Sequence, residues 1–157
     1  MTDIPLKIEI YTDGSCIGNP GPGGWAAMIL IGGKDDKISG NEKHTTNNRM
    51  EMMAIIKALE YLHKNIDRKF LSNTKIILYS DSNLLIQSIN KNWKRKANTD
   101  LWAQLEKLRG WLNIEWKWVK AHHTNKYNNI VDKLALGQAI KAKKAGRITI
   151  DPETSSG

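Results

Sequence analysis

The chain has 157 residues, enough for one domain with a single hydrophobic core, and 40% of them are hydrophobic. No apolar run approaches the length of a membrane span, and the N-terminal residues lack the basic and apolar pattern of a signal peptide. The single cysteine excludes an internal disulfide. We therefore expect a soluble cytoplasmic protein, and the net charge of +8 favours an anionic partner.

The first third of the chain predicts three strands. Residues 7–12 alternate apolar and polar side chains. A second strand-like run at 25–31 follows a segment rich in glycine and proline, and a third at 37–43 follows the Gly32-Gly33 turn. These strands should form an antiparallel meander.

Beyond the meander, helical and strand-like patterns alternate. The predicted elements are a helix at 48–63, a strand at 75–80, helices at 82–90 and 100–111, a strand at 114–119, and a last helix that ends at Gly146. This order indicates a mixed sheet with helices packed on it. Residues 1–147 should form a single domain, and 148–157 a flexible tail.

Basic residues and tryptophans concentrate in the second half of the chain. Residues 91–147 carry 14 basic and 4 acidic side chains, whereas residues 1–90 carry ten of each. Five of the six tryptophans also lie in this half. The pattern is typical of a nucleic-acid surface, where cations meet phosphates and rings meet bases. The alternative is a solvated basic face above core tryptophans.

Four acidic residues occupy positions where a mixed sheet gathers functional groups. Asp13 and Asp81 follow predicted strands, and Glu51 and Asp132 lie near the starts of predicted helices. Clustered carboxylates repel one another, and a divalent cation relieves that repulsion. An all-oxygen ligand set favours Mg²⁺ or Mn²⁺, and two such ions suit in-line displacement at phosphorus.

Each acid taken singly has a simpler structural explanation. These explanations are a turn pair at Asp13, a capping box with Asn48 for Glu51, a helix cap at Asp81 and a solvated helix position at Asp132. The conjunction of all four in one mixed sheet favours a shared site.

Six segments of the chain together resemble ribonuclease H type 1 in its compact bacterial form. They follow the family's order at near-family spacing, and they are residues 11–26, 45–51, 79–82, 100–102, 118–122 and 129–135. The resemblance implies an α/β fold with a mixed five-stranded sheet, an antiparallel meander followed by parallel strands, flanked by helices. It also implies a two-metal endoribonuclease that hydrolyses the RNA strand of RNA–DNA hybrids and leaves 5′-phosphate and 3′-hydroxyl ends.

The same resemblance implies roles for the acids and for one histidine. Asp13 would bridge two Mg²⁺ ions, for which Mn²⁺ could substitute. Glu51 and Asp81 would complete one metal site, and Asp132 the other. His122 matches a histidine that assists proton transfer or product release.

Further residues match positions that touch the substrate in the family. Those facing the RNA strand are Asn19, Asn47 and Asn48, whose amides would read 2′-hydroxyls. Thr46 and Asn98 match a pocket for a DNA-strand phosphate. Asn83 stands where many members have glutamine, and Trp93 belongs to a shortened basic protrusion at 91–98. Capping and turn formation are the alternative roles for the Asn and Thr residues.

Three rival interpretations remain open at this stage. The domain could serve a virus or a reverse transcriptase, bind hybrids without cutting them, or support other partners through its fold alone. The presence of all four acids argues against the second, and Asn47, Asn48 and His122 argue against the third. We expect an active monomer whose substrate is an RNA–DNA hybrid, with no obligate protein partner and no membrane association.

Overall fold

The computed structural model describes residues 7–91, 97–120 and 125–156, with side chains as far as residue 146. The elements in chain order are β1 (Lys7–Cys16), β2 (Gly21–Ile31), β3 (Lys34–Thr45), α1 (Asn47–Asn65), α2 (Arg68–Ser72), β4 (Lys75–Ser80), α3 (Asn83–Asn90), α4 (Thr99–Arg109), β5 (Asn113–Trp118) and α5 (Lys126–Ser156). No helix within these ranges is both long and apolar enough to cross a membrane.

The strands form one five-stranded sheet in the order β3-β2-β1-β4-β5. β1, β2 and β3 pair antiparallel, whereas β4 pairs parallel with β1 and with β5. The predicted meander followed by parallel strands is therefore confirmed. The parallel pairs bring the carboxyl ends of β1 and β4 to the same edge of the sheet.

Helices cover both faces of this sheet because neighbouring residues of a strand point to opposite sides. Ile10 of β1 belongs to a large core cluster with α1, α3 and α4. Tyr11, the next residue, belongs to a second cluster that includes Val131 and Ala135 of α5. The sheet thus holds α1 on one face and α5 on the other, and each of these helices carries a candidate acid.

The structure corrects several predicted boundaries. β1 and β2 extend into the glycine-rich segment, where Cys16 lies opposite Gly23. The five-residue helix α2 was missed because it is too short for a periodic signal. The predicted helix end at Gly146 is wrong, since α5 continues to Ser156. A glycine inside a helix costs only about 1 kcal/mol, so it need not end one. The domain limit at 147 and the tail's mobility stay predictions.

We expect Gly24→Ala to destabilise the protein, because α5 packs directly on the backbone of β2. A Cβ at this position would lie against the carbonyl oxygen of Ala135 and 2.6 Å from the backbone nitrogen of Ala139. Overpacking of this kind costs about 1–3 kcal/mol. The measurement is the midpoint of urea unfolding. Gly137→Ala, where a Cβ meets nothing within 4 Å, is the matched control and should be neutral or stabilising.

Candidate active site

The register of the sheet brings Asp13 and Asp81 together. The parallel pairing of β1 with β4 ends at Thr12 and Ser80. Asp13 directly follows Thr12, and Asp81 directly follows Ser80, so the two acids lie side by side. Asp81 follows the end of β4, as predicted. Asp13 instead lies within β1, which continues past it because β2 still pairs with it as far as Cys16.

Glu51 reaches this position from α1. Its carboxylate accepts a hydrogen bond from the backbone N–H of Gly14, although the two residues are 37 apart in the chain. A Cβ on Gly14 would collide with the backbone of Met50 and Glu51, so only glycine lets the helix approach the strand this closely. The capping-box explanation is excluded, because Thr46 caps α1 by accepting from Arg49 N–H at 3.3 Å.

Asp132 completes the group from the opposite face of the sheet, near the start of α5. All four acids line one open cleft of about 250 Å³. The remaining lining residues are Gly14, Asn47, Asn48, Ser82, Asn128 and Asn129. The cleft is therefore walled by carboxylates, amides and a hydroxyl, which are groups suited to a cation and a polar ligand.

Three of the acids are close enough to share a cation. One oxygen from each of Asp13, Glu51 and Asp81 lies within 4.8 Å of the others. Asp13 is only 4% exposed and Glu51 8%. Asp132 is exposed at the rim of the cleft, and its charge and hydrogen bond act on Asp13.

Burial and crowding disfavour the charged forms of this cluster. Burial raises the pKa of Asp13 to about 8, opposed by its hydrogen bond with Glu51 and reinforced by the charges of Asp81 and Asp132. Burial, followed by the charges of Asp13 and Asp81, raises the pKa of Glu51 well above its usual range. Ionising all of these carboxylates without a bound cation is unfavourable, because they are buried and repel one another. A divalent cation offsets both the desolvation and the repulsion. The donor set therefore fits a hard cation such as Mg²⁺.

The structure places the predicted substrate residues unequally around this cleft. Asn47 and Asn48 line it. Asn19 lies outside the lining but accepts from the backbone N–H of Asn47 at 2.9 Å, so it steadies the start of α1. Asn83 also lies outside the lining and accepts from Gln87 at 3.5 Å. Its neighbour Ser82 faces the cleft and caps α3, which excludes Asp81 as the cap.

Two predicted residues, His122 and Trp93, lie outside the described residues. The chain that leads toward His122 is nevertheless anchored at the cleft. Val119 N–H donates to the carbonyl of Ser80 at 2.8 Å. The indole N–H of Trp118 donates to the carbonyl of Asp81 at 3.2 Å. The end of β5 is thus fixed beside one of the clustered acids.

Sequence reasoning missed Asn128 as a residue of the cleft. Asn128 is 3% exposed and lies four residues before Asp132 on α5. Residues four apart share one face of a helix, so this spacing was the signal that could have found it. Asn129 lies three residues before Asp132 and carried the same signal, whereas no such spacing marked Ser82.

Comparison with known proteins shows which family the chain belongs to. Residues 5–140 match the sequence model of the RNase H family. The chain belongs to the ribonuclease H family. Ribonuclease H from Chromobacterium violaceum is 41% identical to it over 143 residues, covering 82% of this chain and 92% of that protein. Ribonuclease H from Caldanaerobacter subterraneus is 43% identical over 148 residues, covering 85% and 92%.

Solved structures of the family share the fold. LC11-RNase H1, crystallised in complex with an RNA/DNA hybrid, superposes with a TM-score of 0.74 at 28% identity, covering 86% of this chain and 98% of that one. The N-terminal RNase H domain of a Mycobacterium tuberculosis protein gives a TM-score of 0.77 at 24% identity, covering 90% and 99%. As a family member, this chain is a nuclease, an enzyme that hydrolyses phosphodiester bonds.

Proposed function

We propose that this chain hydrolyses the RNA strand of RNA–DNA hybrids with Mg²⁺ and leaves 5′-phosphate and 3′-hydroxyl ends. The observation that carries the proposal is the convergence of the buried Asp13 and Glu51 with the half-buried Asp81, whose oxygens lie within 4.8 Å of one another. The hybrid bound to the related LC11-RNase H1 supports the choice of substrate. The enzyme acts as a cytoplasmic monomer in this proposal.

The four acids would hold two divalent cations, with Mn²⁺ as a substitute for Mg²⁺. Asp13 is central to the cleft and would serve both ions, Glu51 and Asp81 one of them, and Asp132 the other. Bound cations of this kind activate a water molecule and stabilise the leaving oxygen of an in-line displacement. The protein's part is to make the carboxylates converge, through the strand register and the Gly14 contact with Glu51. The bound cations would then offset the burial and repulsion that disfavour the charged carboxylates.

Amides beside the acids would distinguish RNA from DNA. Asn47 and Asn48 line the cleft, and an amide can both donate to and accept from a 2′-hydroxyl. Asn19 accepts a hydrogen bond from the backbone of Asn47 and would also take part in recognition of the RNA strand. His122 would assist proton transfer or product release, while Asn83 and Trp93 would add contacts at the edges of the substrate.

Cleavage of a labelled RNA–DNA hybrid in Mg²⁺ tests the proposed function. The same RNA is assayed paired with RNA and as a single strand, and each reaction is repeated with EDTA. We expect the hybrid alone to be cut, and only when metal is present. The 5′ ends of the products should be joined by a ligase without prior phosphorylation. Tight binding without cutting in Mg²⁺ or Mn²⁺ would instead indicate a hybrid-binding module, which contradicts the proposal.

Hybrid affinity should fall steeply with salt, because the basic excess lies in the part of the chain that would meet phosphates. Residues 91–147 carry 14 basic and 4 acidic side chains. Neutralising about four phosphates would weaken binding on the order of 100-fold between 50 and 200 mM salt. The measurement is fluorescence anisotropy of uncut hybrid in EDTA. An affinity independent of salt would exclude this electrostatic contribution.

A further inference from the structure

A stack of three tyrosines joins the elements that lead to three of the four clustered acids. Tyr11 of β1 and Tyr79 of β4 are direct partners in the parallel ladder, and their ring centroids lie 4.4 Å apart with 9° between the ring planes. Tyr127, in the first turn of α5, packs on Tyr11 with 5.2 Å between centroids and a tilt of 40°. The stack therefore connects β1, β4 and α5 through side chains.

On the sheet, each of the two stacked tyrosines lies two residues before an acid. Tyr11 precedes Asp13 within β1, so their side chains point to the same face of the sheet. Tyr79 precedes Asp81 at the end of β4. Tyr11 is only 6% exposed and belongs, with Val131 of α5, to the second core cluster. The stack therefore begins immediately beside the acid cluster.

The position of Asp132 depends on how α5 lies against the sheet. Asp132 is exposed at the rim of the cleft, so the helix carries it there without a buried environment of its own. Asn125 caps this helix, since its Oδ1 accepts from the backbone N–H of Asn128 at 2.9 Å. That hydrogen bond shapes the first turn but does not attach it to the sheet. Tyr127, in the same turn, makes such an attachment through Tyr11.

We propose that Tyr127 is a positioning residue, which fixes α5 so that Asp132 and Asp13 can bind one cation between them. The inference rests on the proposed function, because the cation is the one that the nuclease would use. The contact is between rings, so the aromatic face of Tyr127 does the positioning and its hydroxyl is not required. A misplacement of about 1 Å can lower a rate on the order of 100-fold, so a small movement of α5 is enough to matter.

The Mg²⁺ dependence of hybrid cleavage by Tyr127→Ala tests the proposal. The Mg²⁺ concentration for half-maximal rate should rise about tenfold, because a displaced Asp132 binds the cation less well. At saturating Mg²⁺ the rate should return to within about threefold of the wild type, since no ligand has been removed. Tyr127→Phe keeps the ring and should restore the wild-type requirement. An unchanged Mg²⁺ requirement in Tyr127→Ala, or an equal defect in Tyr127→Phe, would overturn the proposal.

Leu30→Ala is the matched control for a general loss of stability. Leu30 packs on the same cluster as the tyrosines, but it pairs with Glu9, four residues before Asp13 on β1. This variant should unfold at a lower temperature and keep the wild-type Mg²⁺ requirement. An equal rise of the Mg²⁺ requirement in Leu30→Ala and Tyr127→Ala would contradict the positioning role.

Amide hydrogen exchange in EDTA gives a second readout, which needs neither metal nor cleavage. In Tyr127→Ala, the amides of residues 128–132 should exchange about tenfold faster than in the wild type, because the start of α5 is no longer held on the sheet. Tyr127→Phe should exchange as the wild type does. Unchanged exchange of this segment in Tyr127→Ala would also overturn the proposal. A wild-type protein that cuts no hybrid would instead remove the proposed function, whatever the exchange shows.

Discussion

Replacement of Asp13 by asparagine should abolish cleavage while leaving the protein folded. Asp13 lies at the centre of the acid cluster, within reach of Glu51 and Asp81. The amide keeps the shape of the side chain but cannot carry the negative charge that a shared cation needs. Loss of this ligand should cost several kcal/mol of transition-state stabilisation, a fall in rate on the order of 1,000-fold or more. Single-turnover cleavage of a labelled hybrid measures it.

The control for this variant is Asp35→Asn, which removes an exposed acid of β3 far from the cleft. It should cleave at the wild-type rate. In EDTA at pH 8, Asp13→Asn should be at least as stable as the wild type, because it removes a buried and crowded carboxylate. An Asp13→Asn enzyme with more than about a tenth of wild-type activity would contradict the assigned role.

Without divalent cations, the stability of the protein should decrease as the pH rises from about 4 to about 8. The pKa of Asp13 is about 8 in the folded protein against 3.8 ordinarily, so across this range the folded state binds more protons than the unfolded state. Stability then has a negative slope with pH. The stability contributed by Asp13 is greatest below the pKa that this group has in the unfolded chain. It decreases, by roughly a few kcal/mol, as the pH rises toward the pKa that Asp13 has in the folded protein.

Urea unfolding in EDTA at several pH values measures this slope. Asp13→Asn should flatten it, leaving the contribution of Glu51, whose pKa is raised in the same direction. Because cations compete with protons for these oxygens, added Mg²⁺ should stabilise the wild type more strongly at pH 8 than at pH 5. A stability that rises with pH in EDTA would show that the acids are not crowded in the bare protein.

Much of the fold follows from local patterns in the sequence. β4 was predicted with its observed bounds, and α1, α3, α4 and β5 within a few residues, because strand alternation and helical spacing report which face of an element is buried. The order of these elements was enough to predict the meander and the parallel strands that follow it. The four acids were recognisable because each stands near the end of a predicted strand or the start of a predicted helix, although Asp13 lies within the observed β1.

Other features depend on contacts between distant segments, which local periodicity does not encode. Gly23 and Gly24 belong to the glycine-rich segment before the strand predicted at 25–31, yet they lie in β2, where neighbouring elements come too close for a Cβ. Asn128 enters the cleft only because α5 crosses the sheet there.

By itself, then, the sequence determined the elements, their order and the identity of the clustered acids, since these depend on side-chain chemistry and short-range spacing. Only the tertiary structure decided how they meet. Glu51 accepts a hydrogen bond from Gly14, 37 residues away in the chain, and does not cap its own helix. Arg49 donates to Asp100, which is 51 residues away. Such pairings are selected by how whole surfaces pack, and no local pattern contains that information.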